Sequence, residues 1–455
     1  MENELLEKTR NLLKERKFTQ LYQMLKEMQA VDIAILFDEL DLTEVRMLFR
    51  LLPKTLAAET FVEMDSDTQE SLIAAFNDKE LQEVMEELFI DDTVDIIEEM
   101  PANVVKRMIR QADPETRRLI NEILNYPSDS AGSIMTIEFV DLHKDMTVSE
   151  AFDKIRRTGL EKETVYTCYV INSDRRLEGV VTVQQMLLVS WDSRIEEIME
   201  TNVISVGTLE DREEVANKLN KYNFLALPVV DNENRLVGIV TFDDAIDVLQ
   251  EEATEDIEIM AALVPSDKPY LKTGVFETWR KRFPWLLLLM ISATFTGQII
   301  LSFENQLAAC AVLTAFIPML MDTGGNAGGQ SSVTIIRGLS LHEIEYKDVL
   351  TTIWKELRVA LLCGVSLACA NFLKMLVVDQ WILHNDGVTP MVAFVVCLTM
   401  IVTICVAKVI GCTLPIAAKR IGFDPAVMAS PFITTIVDAL SLLTYFQIAK
   451  LLLPI

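Results

Sequence analysis

Basic residues are too few to match the acidic ones. The 455-residue chain has 41 Lys and Arg against 68 Asp and Glu, a net charge of −27. Binding phosphate backbones needs clustered Lys and Arg, so nucleic acid is excluded as a partner. Cysteine is also sparse where a secreted scaffold would need it. Of seven, only Cys168 lies in the polar first part of the chain, and no C-x-x-C pair occurs, which excludes a disulfide framework. Histidine is limited to His143, His342 and His384. They lie far apart, with no nucleophile-and-base spacing and no phosphate-cradling loop, so the chain does not read as an enzyme. The first thirty residues are charged and periodic rather than apolar, and no cleavable signal peptide is expected.

The charge that is present is unevenly placed. Residues 284–455 hold ten acids and nine bases, which leaves a net charge of −26 for residues 1–283. A strongly acidic soluble part is therefore joined to a nearly neutral apolar part. Between Arg282 and Glu304 lie 21 uncharged residues, enough for a helix to cross a bilayer. Further apolar stretches run from Asn305 to Met321 (extended by a glycine-rich run to Ile336), Val359–Val378, Gly387–Ala418 and Pro425–Ala449. Five spans are expected. Lys281 and Arg282, then Arg337, Lys347, Lys355 and Arg358, then Lys419 and Arg420 all fall on one side, whereas the loop DQWILHND has no Lys or Arg. The excess of basic loops marks the cytoplasmic face. The N-terminus is thus expected in the cytoplasm and the C-terminus outside. Residues 339–350, too charged to span, read as a short interfacial helix.

The soluble part divides again. Residues 1–127 are rich in Leu, Met, Glu and Lys, and VDIAILFDEL, AETFVEM and VDIIEEM share an acidic-apolar pattern that predicts a small helical solenoid. Residues 128–255 contain a clearer repeat. YVINSDRRLEGVVTVQQML aligns without gaps on PVVDNENRLVGIVTFDDAI, 59 residues on. Each copy reads as strand, turn, strand and helix, preceded by an amphipathic helix (148–158 and 211–222). An acidic connecting helix is expected over 256–282, and the membrane part over 283–455. The fold class is therefore multidomain: an all-α N-terminal domain, an α/β repeat pair and a five-span α-helical membrane domain.

Three features carry candidate chemistry. Asp438 is a lone acid in the fifth span, with Thr434 and Ser430 one and two turns below it. An acid at the bilayer centre costs about 2.5–3.5 kcal/mol on insertion scales and marks an ion pathway; the bland alternative is a structural pair with Lys374 or Lys408. DTGGNAGGQSS (322–332) supplies Asn326 and Gln330 among four glycines. It is either irregular backbone lining a cavity or a tight helix crossing through small residues, and both stay open. On the acidic run after the second repeat, Asp244, Asp247, Glu251, Glu255 and Glu258 follow helical steps, so carboxylates share a face. A hard divalent cation would relieve their repulsion; the alternative is a solvated face. Glu59, Asp91, Asp92 and Asp95 add acids in the helical domain.

The repeat resembles a tandem CBS pair, a module that often binds adenine nucleotides. The ribose-binding pattern is intact in the second copy as Gly238, Thr241 and Asp244, whereas the first copy keeps Gly179 and Thr182 but has Gln185 in place of the acid. A neutral Gln accepts less well from ribose hydroxyls, so ATP is doubtful in this cleft. The whole order of parts, with the motifs YPSDSAGSIMT (126–136), TGGNAGGQS (323–331) and DPAVMASPFITTIVDALSLLTYF (424–446), is similar to the MgtE magnesium channel family. The chain departs from its pattern at Ser430 and Gly329, where the family carries Asn. The resemblance implies a homodimer in the cell membrane, conducting hydrated Mg²⁺ past Asp438 and closed by cytosolic Mg²⁺. It places pore positions at Asp438, Thr434, Ser430, Asn326 and Gln330. It places regulatory metal ligands among Glu59, Asp91, Asp95, Glu213, Asp244, Asp247, Glu252, Glu255 and Asp256. Transport of another divalent ion such as Mn²⁺ or Co²⁺, and a membrane-anchored Mg²⁺ sensor that transports nothing, remain as alternatives.

Overall fold

The computed structural model describes residues 2–266, 270–271, 273–341, 343–385, 387–428 and 430–453. The chain divides into two compact units, one ending at Gln250 and the other beginning at Glu251.

The first unit opens with ten short helices: α1 (Glu2–Lys14), α2 (Phe18–Lys26), α3 (Ala30–Asp38), α4 (Leu42–Phe49) and α5 (Lys54–Val62), then α6 (Ser66–Ala75), α7 (Asp78–Met85), α8 (Ile90–Glu99), α9 (Ala102–Gln111) and α10 (Pro114–Ile123). Their brevity follows from the stops written between them. Pro53 and Pro101 sit at N-caps, while Asp65, Asn77 and Asp113 accept from backbone N–H groups of the first turn. One apolar core runs through the domain, with Leu21, Leu25, Ile33, Leu48, Leu72 and Ile120 fully buried. Phe49, Phe61 and Phe76 close its middle, with ring centroids 5.4–6.3 Å apart.

The repeat pair follows as β1 (Val140–Leu142), α11 (Val148–Thr158), β2 (Thr167–Ile171), β3 (Leu177–Thr182), α12 (Val183–Leu187) and the single turn α13 (Ile195–Ile198). The second copy is β4 (Val206–Gly207), α14 (Arg212–Tyr222), β5 (Ala226–Val230), β6 (Leu236–Thr241) and α15 (Phe242–Met260). The sheets have orders β1-β2-β3 and β4-β5-β6, each with a parallel and an antiparallel pair. Val170 opposes Gly179 in one sheet and Val229 opposes Gly238 in the other, so the 59-residue offset appears as identical register. Both glycines are needed for close approach: a Cβ on Gly238 would lie 2.8 Å from the Thr136 carbonyl oxygen, and one on Gly179 would lie 3.0 Å from that of Glu200. The motif at 126–136 thus completes the second copy, where Thr136 bridges Ile239 and Ala131 N–H donates to Glu210 O (2.9 Å or less).

The second unit contains α16 (Val275–Ser302), the short α17 (Glu304–Ala309), α18 (Ile317–Ser340), α19 (Val349–Lys374, continued as a π-helix over Met375–Ile382), α20 (Pro390–Arg420) and α21 (Ser430–Leu452). Four of the five long helices are long and apolar enough to cross a membrane. The exception is α18, whose 24 residues include the polar glycine-rich run, so the expectation of five apolar spans is met by four and by one small-residue helix. Three other boundaries differ from expectation. The acidic helix is α15 and ends at Met260, with Ala262 in a left-handed conformation (φ 56°) and Pro265 beyond it; no helix covers 261–274 among the described residues. Among the described residues of 339–350 there is no separate interfacial helix. There α18 runs on to Ser340, Ile344 folds back with its N–H on Gly338 O (2.9 Å), and Tyr346–Asp348 make one 3₁₀ turn. Finally, Pro425–Met428 is a 3₁₀ turn, and the last helix begins at Ser430.

The glycine-rich segment is helical throughout, which decides for the tight crossing. A Cβ on Gly325 would lie 2.8 Å from Thr434 Cγ2, one on Gly328 2.8 Å from Ile433 Cγ2, and one on Gly411 would overlap the Gly328 carbonyl oxygen. Small residues let α18 lie directly on α20 and α21. Gly411→Ala is therefore expected to destabilise the membrane domain by about 1–3 kcal/mol through overpacking. Thermal unfolding of the purified variant in detergent checks this, and an unchanged transition would contradict the close crossing.

Candidate functional site

Asp438 lies eight residues into α21, about 12 Å along the helix axis. This is nearer the N-terminal end of its helix than a helix beginning at Pro425 would put it. Its Oδ1 is buried with no hydrogen-bond partner among the described residues. The structural alternative for this acid is answered by the two lysines. Lys374 pairs with Asp379 (2.8 Å), and the buried Lys408 pairs with Glu356 (3.4 Å). Ser331 donates to Glu356 Oε2 (2.5 Å) and accepts from Lys408 Nζ (3.1 Å), so this charge pair joins α18, α19 and α20. Neither lysine neutralises Asp438.

The polar side chains of α18 fall into two sets. Ser331 and Ser332 are buried and bonded, the latter donating to Met428 O (2.7 Å). Asp322, Asn326 and Gln330, four residues apart, form one exposed stripe. Asp322 is close enough to Asp438 to interact with it electrostatically. Thr434 lies against Gly325, and the side chain of Ser430 falls outside the described residues.

In the first unit the acids gather between the helical domain and the repeat pair. Asp91 is 7 % exposed, and its Oδ1 has no hydrogen-bond partner among the described residues. Burial, then the carboxylates of Asp244, Asp92, Glu163 and Glu138, push its pKa well above the usual range. Burial is likewise the main cause for Asp92 and Asp244, each raised to about 6, and for Glu163, raised to about 7; neighbouring acids add to each shift. Asp244 also accepts from the Thr241 hydroxyl. Glu59 lines the same cleft as Asp92 and Glu138. Asp95 is exposed on α8, Glu213 lies in the first turn of α14, and Asp247 is raised by burial and by Asp243. In the first copy of the repeat Thr182 and Gln185 are occupied with each other in a capping box, and Gln185 Nε2 donates to Glu200 (3.3 Å).

A second acidic group belongs to the other unit. Asp256 accepts from the Ser340 hydroxyl (3.4 Å) and is raised by burial, then by Asp424 and Glu252. The end of α15 therefore meets the end of α18 and the turn between α20 and α21, where Ile259 and Met260 pack against Ile336 and Ala426. Glu255 lies one residue before, half-buried. No three of His, Cys, Asp and Glu form a metal-holding group among the described residues. The donors present are hard oxygens, and Asp91 offers an inward oxygen without a partner. They suit Mg²⁺, which needs only one or two carboxylates while keeping several waters.

The helical, CBS and membrane parts match three family models in sequence order. Residues 28–129 match the MgtE intracellular N domain, residues 131–192 and 195–251 match CBS domains, and residues 317–448 match the MgtE divalent cation transporter domain. The chain is 35 % identical over 457 aligned positions to the magnesium transporter MgtE of Thermus thermophilus, covering 100 % of this chain and 99 % of that protein. The chain belongs to the MgtE family. It is also 32 % identical to the magnesium transporter MgtE of Bacillus subtilis, with 96 % and 95 % of the two chains covered. Among solved structures, the cytosolic domain of the Mg²⁺ channel MgtE in complex with ATP is 36 % identical, with TM-score 0.51, covering 52 % of this chain and 98 % of that one. The soluble part of a magnesium transporter is 27 % identical, with TM-score 0.53, covering 56 % and 100 %. The relatives named here are transporters, and no catalytic family is among the matching models.

This MgtE-family chain also has acids that pattern alone does not single out: Glu138, Glu163 and Asp243 in the first cluster, Asp424 in the second and Asp322 beside Asp438. Apart from Asp243, which adjoins Asp244, each is distant in sequence from its spatial partners. The first cluster carries a pH prediction. A carboxylate whose folded pKa is raised binds its proton more tightly folded than unfolded, so stability falls as pH rises. For Asp92, Asp244 and Glu163 the loss is expected as pH rises from about 4 through 6–7. The lowered acids Glu80, Asp113 and Glu150 act in the opposite sense but only at lower pH. In chelator, the cytosolic unfolding transition should drop by roughly 2–5 °C between mildly acidic and mildly basic pH. Millimolar Mg²⁺ should remove the drop at basic pH, as differential scanning fluorimetry of the full chain would show.

Proposed function

We propose that this protein conducts Mg²⁺ through the cell membrane as a homodimer, with the pathway along the two-fold axis, and that cytosolic Mg²⁺ closes it. The observation carrying this reading is Asp438: an acid within a membrane helix, with a buried oxygen lacking a hydrogen-bond partner among the described residues, while Lys374 and Lys408 are paired with other acids. Such a group is costly in lipid unless it serves an ion. One carboxylate per chain, doubled by symmetry and followed by the Asp322–Asn326–Gln330 stripe, suits a hydrated divalent ion that keeps most of its water. The names of the MgtE relatives point to Mg²⁺.

Closure is assigned to the two acidic groups. At low Mg²⁺ their carboxylates repel; bound Mg²⁺ would cancel the repulsion and draw the helical domain, the CBS pair and α15 together. Because Asp256 meets Ser340 and Asp424, charge compensation there would act on the ends of α18, α20 and α21. Asp244 belongs both to the acid cluster and to the ribose pattern, so an adenine nucleotide in the CBS cleft would be linked to the cation. The N-terminus is placed in the cytoplasm and the C-terminus outside, from the basic loops.

Purified protein in liposomes tests the reading. Mg²⁺ uptake at low trans-side Mg²⁺ is expected, with Mn²⁺ and Co²⁺ as weaker competitors. No uptake would favour the sensor, and preferred Mn²⁺ or Co²⁺ uptake would favour a carrier for those ions.

A further inference from the structure

The buried oxygens of the membrane domain that lack hydrogen-bond partners among the described residues include Asp438 Oδ1, Ser441 Oγ and Thr403 Oγ1. Ser441 and Thr403 are each 2 % exposed. Ser441 lies one helical turn beyond Asp438 on α21, and Thr403 is on α20. Both face the same glycine of α18. A Cβ on Gly324 would lie 2.9 Å from Ser441 Oγ and 2.7 Å from Thr403 Cγ2, so only glycine leaves these side chains their room. Asp322, two residues before Gly324, lies within electrostatic range of Asp438.

Leaving a polar group buried without a partner costs about 1–3 kcal/mol, more for a charged one. Threonine and serine in membrane helices commonly return their hydroxyls to the carbonyl four residues back, as Thr399 does to Val395 O (2.8 Å) and Thr435 does to Pro431 O (3.1 Å). Thr403 and Ser441 do not, so their hydroxyl groups are available to something else. Ordered water commonly joins buried polar groups of this kind.

We infer that Thr403 and Ser441 are positioning residues for Asp438: their hydroxyls hold ordered water against the inner carboxylate oxygen and so fix its outer oxygen toward the ion pathway. The inference rests on the reading of Asp438 as the pathway acid. The two hydroxyls touch no transported ion. They act by keeping one carboxylate orientation populated, which lowers the Mg²⁺ concentration needed to occupy the site.

The test is Thr403→Val with Ser441→Ala, measured as Mg²⁺ uptake into liposomes over a range of Mg²⁺ and as thermal unfolding in detergent. If the hydroxyls are orphans of packing, removing them leaves stability unchanged or higher and leaves half-saturation untouched. If they position Asp438, half-saturation should rise about tenfold while saturated uptake stays within about twofold. Ser441→Thr and Thr403→Ser should retain near wild-type half-saturation. In an Asp438→Asn background the two substitutions should add nothing further, since the group they act through has lost its charge. Wild-type half-saturation in the double variant, or full additivity with Asp438→Asn, overturns the inference while leaving the pathway intact. Normal uptake by Asp438→Asn alone overturns both. Should the double variant not assemble, each single substitution carries the same comparison.

Discussion

Asp438→Asn is expected to reduce Mg²⁺ flux by about 10–100-fold while leaving expression and dimer assembly unchanged. The substitution keeps the shape and one oxygen but removes the charge that offsets partial loss of the ion's hydration. Lys408 and Lys374 already have carboxylate partners, so no cation is left unpaired by the change. A merely structural acid would give a different result. Its neutralisation would relieve a buried charge, raising the unfolding temperature with flux preserved. Flux and unfolding measured on one preparation separate the two.

Replacing Asp244, Asp247, Glu252, Glu255 and Asp256 together by Asn and Gln should produce the second large effect. The cytosolic Mg²⁺ needed for half-closure is expected to rise tenfold or more, about 1.4 kcal/mol of lost coupling. These acids come from both groups: Asp244 shares its cluster with Asp91, Asp92 and Glu163, whereas Asp256 shares its own with Asp424 and Glu252. Conduction itself should persist, since none of them lies on α18 or α21. An unchanged closure curve would return all five to the role of a solvated face. Deleting residues 1–127 should weaken closure less completely, because it removes Asp91 and Asp92 but leaves Asp256 and Asp424.

The parts of the fold that were legible are those encoded within short stretches. The 59-residue repeat became the register of two sheets because strand pairing uses neighbours within each copy. Pro53, Pro101 and Pro114 do mark helix starts, a signal that lies within a single turn. The conformation of 322–332 was not legible, since it depends on Gly328 meeting Gly411 across 83 residues of chain. Pairing of Lys408 with Glu356 required knowing that Ser331 lies between them. The acid cluster was half visible: Asp91 and Asp244 belong to acidic runs, but Glu138 and Glu163 stand in otherwise unremarkable segments and join them only through folding. The extent of the connecting helix was misjudged because the acidic helix grows directly out of the second repeat at Phe242 and stops at Met260, where the backbone turns at Ala262, while a separate helix begins at Val275.

Single-channel recording with Mg²⁺ varied on the cytosolic side tests the central claim most directly. Mg²⁺ current is predicted at micromolar cytosolic Mg²⁺, with open probability falling steeply towards millimolar Mg²⁺ and unitary current largely preserved in the openings that remain. A Mg²⁺ current whose open probability ignores cytosolic Mg²⁺, or no Mg²⁺ current at all, would contradict it.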